Sequence, residues 1–362
     1  MTKSFDEVFE DQTKYGTKIK TDEYCVSGAH IIVDQGQEQI AGYTELEDGL
    51  FEHVPAIVFG DHTRVVKYVD TPFFLGADGV KVLRSRFPDA NYKYLYYALK
   101  NARIPNTGYN RHFKWLKETR INYPDTERQA EIVGVLDGVT GVIEKRQQQL
   151  SALGDLIKAR FVEMFGDTVQ NPFGWEKSFL GVVCDVRDGT HDSPQYYETG
   201  LPLVTSKNVT GGMIDLSDCS LICEEDFNKI NERSKVDLGD IIMPMIGTVG
   251  KPVIVDIKPL FAIKNVALIK FNTASKVLNI YIRALLQSDY FDNAVLDKVR
   301  GGTQKFISLG DIRRLEILVP PMNVQQQFAA FVSQVDKSKS VIQKALDETQ
   351  LLFDSLMQEY FG

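Results

Sequence analysis

Apolar residues recur at heptad spacing in two stretches of this chain. Between residues 127 and 164 they fall at Ile132, Leu136, Val139, Ile143, Leu150, Leu153, Ile157 and Met164, with Arg146 and Arg160 interrupting. Near the C-terminus they fall at Phe328, Val332, Val335, Ile342, Leu346, Phe353, Leu356 and Tyr360, with Lys339 and Thr349 interrupting. The first stretch contains no proline, and its pattern predicts a helix on the order of 55 Å long. Thr126 is its expected N-cap, with the Asp125 charge favouring the helix start. Each stretch opens on a glutamine soon after a proline (Gln129 after Pro124, Gln325 after Pro320 and Pro321). Each closes on Phe-Gly, at Phe165-Gly166 and Phe361-Gly362. One offset superposes the two, so the chain contains an internal repeat. Two helices that are each apolar along one face are expected to pack together, and an antiparallel pair closes the repeat about a two-fold axis.

The segments between these helices alternate short apolar runs with Gly, Asp and Pro punctuation, which predicts strands. Runs at 30–33, 56–59, 65–69 and 80–83 precede a short helix at 91–102, a basic Gly-containing loop, a short helix near 114–118 and a strand at 120–123. Runs at 201–205, 240–245, 252–256 and 262–271 precede a helix over 278–299 and a second basic Gly-rich loop. The stripe Tyr92, Leu95, Tyr96 and Leu99 is read as core packing. The predicted fold class is α+β: two globular α/β domains, 1–124 and 167–321, separated by two long helices, 125–166 and 322–362, that form an antiparallel coiled coil with a pseudo-two-fold internal repeat.

Composition narrows the function. With 43% apolar and 25% charged residues the chain is an ordinary globular one. No apolar run approaches the roughly 18 residues of a membrane span, and the N-terminus lacks a secretory apolar region. A cytoplasmic protein without membrane contact is expected. The four cysteines show no CxxC pair and read as free thiols. The net charge of −8 opposes simple polyanion binding, but its distribution is uneven. Residues 93–120 carry seven Lys and Arg against one acid, and residues 298–314 carry five against one. Both basic patches lie just upstream of a long helix, which keeps a nucleic-acid partner in play beside the plainer reading of solvated faces.

Catalytic signatures fail one by one. Asn171-Pro172-Phe173 lacks the second proline of an adenine-methylation loop. The 247–252 segment fails the phosphate-loop spacing and its final hydroxyl. Asp256-Ile257-Lys258 has no acidic neighbour, and no two histidines stand four apart as zinc ligands on a helix would. What remains is a set of polar Gly loops: 59–64, 187–194, 205–208, 247–251 and 300–305. Their glycines admit close backbone approach, and their Arg, Lys, Asn and Gln side chains match base edges. Ordinary turn chemistry explains any one of them taken alone.

Taken together the loops are more specific. RDGTH at 187–191, TSKNV at 205–209, IGTVGKPVIV at 246–255, AIKNVALIK at 262–270 and GGTQKFISLGDIRRLEILVPP at 301–321 resemble the specificity subunit of type I restriction–modification systems. In the first half, IVDQGQEQIAGY, VFGDHTRVVKYV, LGADGVKVL and GYNRHFKWLK resemble a second, divergent target-recognition domain of that family. The first half lacks the RDGTH and GGTQ forms, so the domains are expected to read different sequences.

The resemblance implies a non-catalytic chain with no cofactor of its own. It implies binding to double-stranded DNA, two docked methyltransferase subunits that use S-adenosylmethionine on adenine N6, and motor–nuclease subunits for cleavage. It marks His62, Arg64, Arg111, His112 and Lys114 for DNA contact in the first domain. In the second it marks Thr190, His191, Lys207, Asn208, Thr248, Lys251, Arg300, Thr303, Gln304 and Lys305. The expected target has two short blocks about one helical turn apart with roughly 5–8 unread base pairs between them. Two rival readings are a coiled-coil adaptor without DNA readout and the specificity part of a single-chain restriction–modification enzyme. A start at Met1 and a finish on a completed repeat are expected of an untruncated chain.

Overall fold

A computed structural model describes residues 1–245, 251–295 and 306–362. The chain divides into two compact units: residues 1–147 with 344–362, and residues 148–343.

In the first unit, β1 (Thr2–Ser4), α1 (Phe5–Val8) and β2 (Phe9–Asp11) are followed by β3 (His30–Val33), β4 (Gly42–Thr44), β5 (Ala56–Gly60), β6 (Val66–Val69), β7 (Phe73–Leu75) and β8 (Val80–Ser85). Next come α2 (Tyr92–Lys100), α3 (Phe113–Lys117), β9 (Arg120–Asn122) and the long helix α4 (Thr126–Phe165). An antiparallel sheet runs in the order β2-β8-β5-β6. A second sheet, β4-β3-β7, pairs β3 antiparallel to β4 and parallel to β7. β1 pairs with β9 and draws the chain start beside the entry to α4. The aromatic stripe on α2 does pack inward: Tyr92, Leu95 and Leu99 are buried with Leu136 of α4 and with Phe353 and Met357 of the C-terminal helix.

The second unit repeats the plan. Its elements are β10 (Glu176–Phe179), α5 (Leu180–Val183), β11 (Asp185–Asp188), β12 (Leu201–Val204), β13 (Val209–Thr210), β14 (Met213–Ile214), β15 (Ser220–Ile222), α6 (Glu224–Ser234), β16 (Ile241–Pro244), β17 (Val253–Ile254), β18 (Ala262–Ile263) and β19 (Val266–Lys270). They continue with α7 (Asn279–Leu285), α8 (Asp289–Val295), α9 (Leu309–Arg313), β20 (Glu316–Val319) and α10 (Met322–Phe361). The order β11-β19-β16-β17 mirrors β2-β8-β5-β6, β15-β12-β18 mirrors β4-β3-β7, and β10-β20 mirrors β1-β9. The parallel strand pairing recurs as well, as β12 with β18.

Both long helices span 40 residues, about 60 Å at 1.5 Å per residue. The first half of α4 packs with the last half of α10 in the first unit, through Leu136, Phe353 and Met357. The converse holds in the second unit, where Phe161, Phe165, Phe328 and Val332 share one core. The pair therefore runs antiparallel. The heptad positions deepest inside the units, Leu136 and Phe328, are wholly buried, whereas Leu150, Ile342 and Leu346 are half-buried. Each globular core thus takes in part of both helices, and the compact units cut across the four segments expected from sequence.

Three expectations need correction. Asp125, not Thr126, caps α4: its carboxylate accepts from the Arg128 backbone N–H at 2.8 Å. The expected strand over 262–271 is two strands parted at Lys264 and Asn265, the latter at φ 56°. The expected helix over 278–299 breaks after Leu285 and restarts at Asp289, with Ser288 donating to the Leu285 carbonyl at 2.6 Å. Gly166 closes α4 in the left-handed region at φ 75°, where a Cβ would lie 2.4 Å from Pro172, so glycine is required there on two counts.

Candidate nucleic-acid interface

Three loops meet in the first unit, and Gln35 joins them. Its amide donates to the Asp78 carbonyl at 3.0 Å, its side-chain carbonyl accepts from the His62 backbone at 3.2 Å, and its own backbone carbonyl accepts from Thr63 at 2.6 Å. Gly79, at φ 93°, leaves room for that side chain: a Cβ there would lie 2.6 Å from Gln35 Oε1. Beneath, the buried Lys67 ammonium bridges Asp34 and the Glu38 carbonyl, which fixes the segment carrying Gln35. Burial pulls the Lys67 pKa down, and Asp34 opposes that pull.

The expected residues of this unit separate into two kinds. His112 is fully buried: its backbone N–H donates to the Asp61 carbonyl at 2.7 Å and its Nδ1 lies 3.0 Å from that same oxygen. The buried Asp61 carboxylate in turn accepts from the Phe113 backbone at 2.7 Å. His112 therefore builds the loop from inside. Arg64, at φ 63°, sends its guanidinium to the Ile104 carbonyl at 3.4 Å, tying the β5–β6 turn to the loop before α3. His62, Arg111 and Lys114 face outward. His62 stacks on Tyr109 at 4.5 Å between centroids and 7° between planes, and Lys114 lies 4.2 Å over the Trp115 ring. Lys18 bonds the exposed Asp78 carboxylate at 3.1 Å and holds its pKa low, with smaller help from Arg111.

Much of the basic stretch around α2 serves packing. Lys93 pairs with Asp137, Lys100 covers Tyr96 and Phe353, and Arg103 reaches Gln358. Exposed pairs of this sort contribute only about 0–1 kcal/mol.

In the second unit the RDGTH segment folds against β18 and β19. Gly189 is obligatory here because a Cβ would sit 2.4 Å from the Ile263 carbonyl. Thr190 bridges to Lys264, and its hydroxyl accepts from the Asp192 backbone at 3.2 Å. The His191 ring sits between two oxygens, Asp188 Oδ2 at 2.9 Å from Nε2 and Asn265 Oδ1 at 2.9 Å from Nδ1. Arg233 of α6 takes the other oxygen of the buried Asp188. Both ring nitrogens are thus engaged within the protein, although the side chain stays 61% exposed.

Asn208 is buried: its side-chain oxygen accepts from the Thr205 backbone and hydroxyl, each at 3.0 Å, and its amide donates to the Asp218 carbonyl at 3.2 Å. It holds the bend that presents Lys207, which is exposed and 3.4 Å from Asp218. Lys251 is exposed. Thr248, Arg300, Thr303, Gln304 and Lys305 lie outside the described residues. Of the basic residues downstream, Arg313 is structural, donating twice to the Val186 carbonyl at 3.0 and 2.6 Å, and Arg314 pairs with Asp311.

Sequence reasoning passed over Gln35, Tyr109, Arg233 and Asn265 as site residues. Arg233 had a usable signal. The acid-rich start Glu224-Glu225-Asp226 and the apolar spacing Phe227 to Ile230 mark α6 as an amphipathic helix.

Two copies of one small architecture, each enclosing part of both long helices and each presenting polar loops of different composition, make a duplicated scaffold. Residues 172–349 match the family model described as "Type I restriction modification DNA specificity domain". It is 26% identical over 273 residues to the type I restriction enzyme MjaIX specificity subunit of Methanocaldococcus jannaschii, covering 67% of this chain and 60% of that relative's length. It is 24% identical over 285 residues to the MjaVIII specificity subunit of the same organism, covering 70% of this chain and 67% of the relative. Among solved structures, the fold is similar to a type I restriction–modification S subunit from M. genitalium (TM-score 0.55, 16% identity, 100% of this chain and 96% of that one). It is also similar to a chain from a study of type I R-M complex assembly (TM-score 0.52, 17% identity, 100% and 97% covered).

Proposed function

We propose that this chain is the DNA-reading subunit of a type I restriction–modification complex, each unit reading one block of a bipartite site. The observation that carries this reading is the repetition of one strand order with different loop chemistry. The same scaffold offers His62, Tyr109, Arg111 and Lys114 in one copy, and His191, Lys207 and Lys251 in the other. Duplicated scaffolds with diverged loops suit two short, unlike sequences better than one continuous sequence. The antiparallel helices set the spacing between blocks.

The chain carries no catalytic centre in this reading. Two methyltransferase subunits dock on it and supply S-adenosylmethionine for adenine N6 methylation, and restriction subunits join for cleavage in the cytoplasm. Base contacts specify while phosphate contacts position, so partner subunits that supply most phosphate contacts reconcile DNA binding with a net charge of −8. Methylation mapping in a host carrying the whole system tests this, with a split motif as the expected result and a continuous one overturning it. Arg64→Ala should relax one block alone; equal relaxation of both removes the assignment of one block to each unit.

A further inference from the structure

His62 differs from His191 in one respect that bears on readout. Both nitrogens of His191 meet oxygens of the protein. His62 Nδ1 is buried and meets no partner among the described residues. A buried N–H without an acceptor is more costly and rarer than an unpaired acceptor lone pair. The proton of the neutral ring therefore belongs on Nε2, at the outer end of the imidazole.

Among the described residues, the contacts around His62 hold it without using that end. Gln35 Oε1 accepts from its backbone N–H. Arg64, two residues on, is tied to Ile104 in the loop that carries Tyr109. The Tyr109 ring lies almost parallel over the imidazole while remaining 85% exposed. An aromatic ring that buries so little of itself adds little to a core, and among the described residues it stacks on the histidine. It acts here as a clamp on the imidazole plane.

We infer that Tyr109 and His62 form a single reading head in which Tyr109 is the positioning residue and His62 donates from Nε2 to an acceptor on a base edge. This rests on the DNA-reading function proposed above. The chemistry selects purine N7, guanine O6 or thymine O4 on the contacted strand and rejects cytosine, whose major-groove edge offers the N4 donor.

The test uses the chain assembled with its methyltransferase partner and a panel of duplexes in which each base pair of both blocks is changed in turn. Wild type, His62→Ala, Tyr109→Ala and Tyr109→Phe are compared by binding. The expected result is that His62→Ala and Tyr109→Ala each lower discrimination at one and the same position of the first block by about tenfold. Discrimination elsewhere holds, and Tyr109→Phe, which keeps the stacked ring, restores most of what Tyr109→Ala loses. Unchanged discrimination in Tyr109→Ala, or an even loss over both blocks, overturns the inference. A wild-type complex that fails to discriminate among the duplexes at all overturns the DNA-reading function itself.

Discussion

The side-chain amide of Gln325 donates to the carbonyl of Pro320 at 2.8 Å, five residues back along the chain. Gln129 does the same to Pro124 at 2.9 Å. Each glutamine is wholly buried at the point where a strand passes into a long helix. Gln325 does more: it also donates to the Lys276 carbonyl at 3.0 Å and accepts from the Leu278 backbone at 2.8 Å. Gln325→Leu strands three backbone groups, one of them fully buried and two partly so, and should cost about 2–3 kcal/mol, whereas Gln129→Leu should cost about 1 kcal/mol. Urea denaturation of the two variants checks the order, and equal losses contradict it.

His112 and Lys114 are two residues apart and should behave in opposite ways. His112→Ala leaves a buried void and removes the ring contact with Asp61, so a destabilisation of about 2–4 kcal/mol is expected. Lys114→Ala removes only an exposed cation over Trp115 and should shift stability by under about 1 kcal/mol. Thermal melts of both variants decide this. A larger effect at Lys114 than at His112 means the burial reading is wrong.

Acid should weaken the second unit in a defined window. The Ser308 hydroxyl, with help from Arg314, holds the Asp311 pKa below its ordinary value, and Arg187 does likewise for Asp185. A depressed carboxyl contributes stability that is present above its unfolded pKa and lost as pH falls through its folded one. The window therefore lies below about pH 4. Asp240 works in the opposite sense: burial raises its pKa despite the Lys270 ammonium, so its contribution fades as pH rises. Asp311→Asn should flatten the fall in melting temperature between about pH 4 and pH 2; an unaltered slope assigns that fall to other groups.

A heptad inserted into both α4 and α10 adds about 10.5 Å to each helix, close to three base pairs at roughly 3.4 Å each. The methylated motif of the lengthened protein should keep both blocks and gain about three unread positions between them. A motif with the original gap assigns the spacing to something other than the helices.

Heptad periodicity and the Gln-to-Phe-Gly repeat located α4 and α10 to within a residue or two, because long apolar stripes are strong signals. The strand runs were legible for the same reason. The failures share a cause: none of them leaves a periodic trace. Asn265 splits a strand by adopting φ 56°, and periodicity carries no information about one residue's dihedral angle. His112 and Asn208 carry the polarity of surface residues and are buried because backbone groups distant in sequence, the carbonyls of Asp61 and Asp218, meet them. Nothing in the sequence pattern sets Tyr109 over His62; the fold does.

The second unit is one unbroken stretch, residues 148–343, whereas the first is closed by residues 344–362. The first core needs Phe353 and Met357. On a ribosome adding roughly 5–20 residues per second, the first 147 residues emerge early and then wait through some two hundred more, on the order of 10–40 s, for the strand-end helix that covers them. The unit translated first is thus finished last. Until then the side of that core which meets Phe353 and Met357 stands uncovered, an apolar surface of the kind that chaperones shield during synthesis.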